Sequence, residues 1–397
     1  MVSKARHDAS EVARSPLRNS KSANSQPRRP RASGSIQQST TGAMLTRRGA
    51  VCGAGAALFT ISVPRPVHAA QPRLEIVESK ICRGTTPVRL LGVGVGDPIY
   101  IRRHRPLSDY AVIAQGWGAN TVRISLHPGH WRSGRDTALR RLVENIEAAR
   151  AAGLFVIVDW HAIGFPWGYA ARPDPAWGLP VDAYESDLSL AMEFWAEMAR
   201  GFGRDPGVLF ELWNEPVVDP LLWVSTGQHW PLLKDVWLRL IEVIRRYSDT
   251  IVLASGGRWA HDLKGVARNL IEDDRVCYAW HSYPPEDKGR QDRWFVSLED
   301  LPKLRPIVVT EWGFCRVCDR HTRGAPDDFG IPFVRDVLEG LDLHSTAWCW
   351  SNGAAPAMLQ SDWSGVTEYG RFVRQYMATA NRPRAHGAML EKTETTP

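Results

Sequence analysis

The sequence predicts a single α/β domain, a closed (β/α)8 barrel of the TIM type. Three observations carry this expectation. From about Leu90 to Trp350, short apolar or β-branched runs alternate with longer segments of helical spacing. The runs are apolar throughout, the pattern of strands buried on both faces in a parallel sheet covered by helices. Eight such runs stand in about 300 residues, enough to close a barrel. A doubly wound open sheet alternates in the same way, usually with fewer strands, and is the second reading.

Taken in order, residues 1–43 are rich in Ser, Arg, Ala and Pro and poor in aliphatic residues. They bury too little to form a core and are expected to be a disordered basic leader, or an over-extended start ahead of Met44. Met44-Leu45-Thr46-Arg47-Arg48-Gly49 precedes a small, apolar run from Ala50 to Val63, and Val67-His68-Ala69 follows. Paired arginines, a short apolar stretch and a small residue at the cleavage point make residues 44–69 a twin-arginine-type signal peptide. The run is too short for a permanent span. Cys52 precedes most of it, whereas a lipidated cysteine would follow it. Export to the periplasm or the medium is expected, with a mature chain from about Ala70 and no stable membrane anchor.

The formal net charge of +6 belongs to this leader. Residues 1–69 hold 11 Lys/Arg and 2 Asp/Glu, leaving 38 basic and 41 acidic residues, so no nucleic-acid partner is expected. Residues 70–397 read as one catalytic barrel without an internal linker, and a monomer is expected. Its runs are Val88–Val95, Asn120–Leu126, Leu154–Trp160, Val208–Trp213, Thr250–Ala254, Val276–Trp280, Ile307–Glu311 and Ser345–Trp350. Helical stripes fill the gaps: Thr137–Ala152, Asp187–Phe202, Leu232–Tyr247, Pro332–Leu341 and Val366–Met377.

In such barrels the chemistry sits at the C-terminal ends of the strands. Those ends carry Arg123 with His127, Asp159-Trp160-His161, Asn214-Glu215, Ser255 with Trp259, His281 with Tyr283, Glu311-Trp312, and Trp348 with Trp350. Random loops would give Gly, Ser and Asp instead. Glu215 and Glu311 close the fourth and seventh strands and so face each other across the mouth. An isolated Glu is usually a helix cap or a surface acid. Two opposed carboxyls supply what glycosidic cleavage needs, a proton donor and a partner for an oxocarbenium-like centre.

Leu212-Trp213-Asn214-Glu215-Pro216 and Val309-Thr310-Glu311-Trp312-Gly313 resemble the two signature segments of glycoside hydrolase family 5. Arg123, His161, His281-Ser282-Tyr283 and a Trp at strand eight match further positions of that family in order, over about residues 88 to 355. The resemblance implies a retaining β-glycosidase without cofactor. Glu215 would be the acid/base and Glu311 the nucleophile, oriented by Arg123 and hydrogen-bonded by Tyr283. Asn214 would bond the sugar 2-hydroxyl, and His161 and His281 would hold sugar hydroxyls or tune Glu215. Trp348 and Trp350 are read as sharing one strand face, and either could be the sugar platform.

A β-linked glycan is thus the expected partner, with an endo-β-1,4-glucanase first. A β-mannanase or an exo-acting β-glucosidase-like enzyme stands second, and a non-catalytic glycan-binding barrel is the reading from another class. The 17 Trp residues fit either a large aromatic core or sugar stacking. Trp131, Trp160, Trp167, Trp177, Trp259, Trp280 and Trp312 are further platform candidates, about half of them core. The segment Gly164–Pro180 is expected to wall one end of the cleft. Leu91-Gly92-Val93-Gly94-Val95-Gly96-Asp97 departs from the family, many of whose members carry an Asn after the first Gly-Val. It also mimics a dinucleotide loop, but Pro98 and Arg102-Arg103 stand where an apolar helix should start. Cys315 and Cys318 with His321 make only half a zinc site, so no metal is expected; a local disulfide or buried thiols are preferred.

Overall fold

A computed structural model describes residues 73–380, apart from 101–104, 219–228, 285–291 and 364. The expected leader and signal segments lie outside the described residues. Eight parallel strands close into a barrel. We number them β1 (Leu91–Gly96), β2 (Thr121–Leu126), β3 (Phe155–Trp160), β4 (Val208–Glu211), β5 (Val252–Ser255), β6 (Val276–Ser282), β7 (Ile307–Trp312) and β8 (His344–Ala347). Pairing of β8 with β1, Ser345 opposite Leu91, makes the closure. The (β/α)8 expectation holds, and the open-sheet reading falls.

The helices form where apolar residues recur at three and four. In α1 (Pro128–Ala151), Ala138, Leu142, Asn145, Ile146 and Ala149 are buried. Pro128 fits the first turn, where its missing N–H costs nothing, so α1 starts nine residues before the stripe at Thr137 suggests. In α2 (Leu188–Phe202), the Asp187 side chain caps the Leu190 N–H. In α3 (Trp230–Arg245), Leu233, Val236, Trp237, Leu240, Ile241 and Ile244 share the buried face. The helix α4 spans Asp292–Leu298, and α5 spans Glu368–Ala380. The Pro332–Leu341 stripe becomes a wide helical turn, Phe333–Glu339.

Alternation along each strand creates two cores. Val156, Val158 and Trp160 face outward to the helices. Phe155 and Ile157 face inward, with Leu209, Leu253, Cys277, Ala279 and Val308 from neighbouring strands. This inner core is capped by something the sequence reading missed, an antiparallel N-terminal sheet of Leu74–Val77, Lys80–Arg83 and Thr86–Pro87. Leu74 and Ile81 from it join the inner cluster and plug the N-terminal end of the barrel. Towards the other end the same inward faces turn charged, at Asp159 after Ile157 and at Glu211 after Leu209.

Candidate active site

The site grows out of that charged layer. Arg123 on β2 is wholly buried. Its Nη1 donates to Glu311 Oε1 at 2.7 Å, its Nη2 to Asn214 Oδ1 at 2.7 Å, and its Nε to Glu211 Oε2. Asp159 Oδ2 lies 3.1 Å from Nη2. One guanidinium therefore serves three carboxylates, because β2, β3, β4 and β7 all aim inward at one level. Burial alone would raise Asp159, but Arg123 and His161 outweigh it and hold its carboxyl below the ordinary value. Burial pushes Glu211 up to about 7 against the pull of Arg123.

Glu311, next to last on β7, has both oxygens engaged, the second accepting from Tyr283 Oη at 2.8 Å. Burial first, then the Glu311 charge, pushes the Tyr283 phenol well up, which keeps it a donor. Glu215 is placed by main-chain pairing. Glu215–Pro216 runs parallel to Ile163–Gly164, and Glu215 N–H donates to the Ala162 carbonyl. Its side chain keeps 16 % exposure. Burial first, then the nearby Glu311 charge, raises Glu215 well above the carboxylate range, with Arg123 opposing. A Glu215 oxygen, a Glu311 oxygen and a His281 ring nitrogen lie within 4.8 Å of one another. A register shift between Trp280 and His281 sets His281 opposite Glu311, and His281 Nδ1 comes 3.2 Å from Glu215 Oε1.

Of the residues singled out in the sequence, the structure gathers Glu215, Glu311, Arg123, Asn214, His281 and Tyr283 into one hydrogen-bonded set. His161 stands beside it, with Nδ1 2.7 Å from Asp159 Oδ2 and its ring stacked on Trp348 at 5.5 Å and 11°. Trp348 is partly exposed, and the Arg123 guanidinium lies 5.9 Å from its ring. Trp350 is a correction. The strand ends at Ala347, so strand alternation no longer governs the two rings. Trp350 turns outward, 4 % exposed, edge-on to Trp117 at 4.8 Å with Nε1 donating to Asp109 Oδ2.

The other tryptophans divide as expected. Trp131, Trp160, Trp280 and Trp312 are core, while Trp167 and Trp177 project 61 % and 49 % exposed from the 164–180 segment. Cys315 and Cys318 form a disulfide, so the half zinc site is lost, and Cys82, Cys277 and Cys349 are buried thiols. The Gly run of β1 has a steric origin. A Cβ on Gly92 would sit 1.7 Å from the Thr121 carbonyl oxygen, and one on Gly94 would sit 2.9 Å from the Trp348 ring.

The sequence reading passed over Glu211, Thr310, Asp97 and His130. Glu211 had a signal, a carboxyl inside an apolar strand run, where unpaired charge is not tolerated. Asp97 had none until folding brought β1 beside α1. Its Oδ2 accepts from His127 N–H, His127 Nδ1 and His130 Nδ1 at 2.7–2.8 Å. Burial lowers His127 despite Asp97, whereas Asp97 outweighs burial and raises the more open His130. The carboxylate thereby fixes two imidazoles beside His161 and Tyr184, His127 lying 4.9 Å and 5.3 Å from them.

Among curated proteins, the chain is 27 % identical over 275 residues to Endoglucanase N of Pectobacterium atrosepticum, covering 67 % of this chain and 54 % of that protein. It is 25 % identical over 295 residues to Endoglucanase E-5 of Thermobifida fusca, covering 70 % and 56 %. It thus spans about half the length of these relatives. Among solved structures it resembles a β-glucanase of Saccharophagus degradans in complex with cellotetraose, with a TM-score of 0.68, 23 % identity, and 81 % of this chain and 99 % of that one covered. The catalytic domain of a Thermobifida fusca endoglucanase gives 0.62, 23 %, 77 % and 97 %. These two likenesses establish the fold. The model of the family described as Cellulase (glycosyl hydrolase family 5) matches residues 86–354, most of the chain and every strand of the barrel, and the chain therefore belongs to that family.

Proposed function

We propose that this protein is a retaining β-glycoside hydrolase, an endo-acting β-1,4-glucanase. The carrying observation is the pair Glu215 and Glu311, with oxygens within 4.8 Å of each other. With one oxygen of each that close, the pair stands nearer the ~5–5.5 Å of retaining enzymes than the ~6.5–9.5 Å that admits an attacking water. In the first step Glu311 bonds to the anomeric carbon while Glu215 gives its proton to the departing oxygen. In the second, Glu215 takes a proton from water as that water's oxygen displaces Glu311. The environments divide the roles: Glu215 is pushed towards the protonated form, while Glu311 accepts from Arg123 and Tyr283. The substrate reading is supported by the names of the curated relatives and by the cellotetraose held by the similar β-glucanase.

The test uses Glu311→Ala, Glu215→Ala and azide. Glu311→Ala should form no glycosyl-enzyme, and azide should give an inverted glycosyl azide. Glu215→Ala should keep its first step on an aryl glycoside with a good leaving group, and azide should restore turnover with retention. NMR of the first wild-type product should show the β-anomer; the α-anomer would sink the mechanism. Glucan should be cut in preference to mannan and xylan, with an early drop in viscosity marking endo action.

A further inference from the structure

A chain of hydrogen bonds outside the reacting pair joins the two sides of the site. Glu211, on β4 and wholly buried, accepts from Arg123 at Oε2 and from Thr310 Oγ1 at Oε1, 2.8 Å away. Thr310 Oγ1 lies 3.1 Å from His281 Nε2, and His281 Nδ1 lies 3.2 Å from Glu215 Oε1. A threonine hydroxyl has one hydrogen. When Glu211 takes it, Thr310 can only accept from His281, so Nε2 must carry the ring hydrogen. Burial first, then Arg123, His261 and His161, holds His281 well below its ordinary value and hence neutral. A neutral ring with Nε2–H has a bare Nδ1. The bare Nδ1 lies 3.2 Å from Glu215 Oε1 and 3.7 Å from Glu311 Oε2. Glu311 only accepts, from Arg123 and from the Tyr283 hydroxyl, so Glu215 must be the donor to Nδ1.

We propose that Glu211 is a positioning residue that, through the Thr310 hydroxyl, sets the His281 tautomer and so holds the proton on Glu215 until the leaving oxygen takes it. This rests on the reading of Glu215 as acid/base. Glu211 faces Arg123 from β2, Asp159 from β3, Cys277 and His281 from β6 and Thr310 from β7. Glu215 faces His281, Glu311, Tyr184 and Tyr283, with Arg123, Asp159 and Glu211 beyond. Burial pushes Glu211 up to about 7, so the chain takes this setting as Glu211 ionises.

The test pairs two substitutions with a direct view of the ring. In Glu211→Gln the amide oxygen must stay on Arg123 Nε–H, which turns the NH2 towards Thr310. The Thr310 hydrogen then turns to His281 Nε2, the ring hydrogen moves to Nδ1, and Nδ1–H stabilises ionised Glu215. The alkaline limb of kcat/KM should fall by roughly one pH unit, the effect of one hydrogen bond of ordinary strength. Thr310→Val breaks the chain without changing charge; it should shift the limb the same way, and the double variant should add nothing.

Nitrogen-15 NMR of labelled histidine at pH 8, with the His281 signal identified by its loss in His281→Asn, should show Nε2–H in the wild type and Nδ1–H in Glu211→Gln. A shift in Glu211→Gln with none in Thr310→Val would reduce Glu211 to its charge and overturn the proposal, as would Nδ1–H in the wild type. Should Glu215→Gln leave the alkaline limb in place, the acid/base reading fails instead, while the ring tautomer still reports on Glu211.

Discussion

Two tryptophans two residues apart on one segment have opposite surroundings. Trp348 lies over the site, against His161 and near Arg123, in space that Gly94 leaves open. Trp350 fills a gap beside Trp117 behind the barrel wall. Trp348→Ala should therefore lower kcat/KM on glucan by about 10- to 100-fold, the loss of an aromatic platform worth a few kcal/mol, with the melting temperature little changed. Trp350→Ala should do the reverse. It opens a cavity costing about 3–5 kcal/mol, read from the denaturation midpoint, while folded molecules keep their kcat/KM. Equal activity losses in the two variants would contradict this division.

At the scale of elements, the barrel is divided between a plug and a mouth. The N-terminal sheet closes one end with Leu74 and Ile81, far along the strands from the carboxylates. Ile81 is wholly buried, so Ile81→Ala should cost about 2–4 kcal/mol in urea unfolding yet leave the pH–activity profile in place. A changed profile would mean that the plug and the charged layer are mechanically linked. We propose that the 164–180 segment walls the mouth. Its root pairs with Glu215–Pro216, and it carries the exposed Trp167 and Trp177. Replacing both with Ala should weaken hydrolysis of polymeric glucan more than that of an aryl cellobioside, compared as kcat/KM ratios. Equal effects on the two substrates would remove the segment from the binding cleft.

For the molecule as a whole, the remaining expectation concerns its compartment. Among the described residues no helix is long and apolar enough to cross a membrane, and the segment with the paired arginines lies outside them. We propose export through that segment. Arg47→Lys combined with Arg48→Lys should leave the protein inside its host cell, and N-terminal sequencing of the exported wild type should start near Ala70. Full-length wild-type protein found soluble in the cytoplasm would refute it.

The sequence alone determined the barrel, because eight doubly buried runs have few other ways to bury both faces. It also marked Glu215, Glu311, Arg123, Asn214, His281 and Tyr283, because strand ends converge at one mouth whatever the loops do. The N-terminal sheet escaped it, since strands of two to four residues carry too few positions for a period. Strand boundaries also bounded what could be read at Trp348 and Trp350. Alternation assigns faces only while a strand lasts, and this one stops at Ala347. Tertiary structure decided the partners of charge. Glu211 with Thr310, and Asp97 with two histidines, are contacts between residues about 30 to 100 positions apart. Hydrogen bonds form across space rather than along the chain, so closing the barrel settled which acid is shared, which is raised and which nitrogen of His281 faces Glu215.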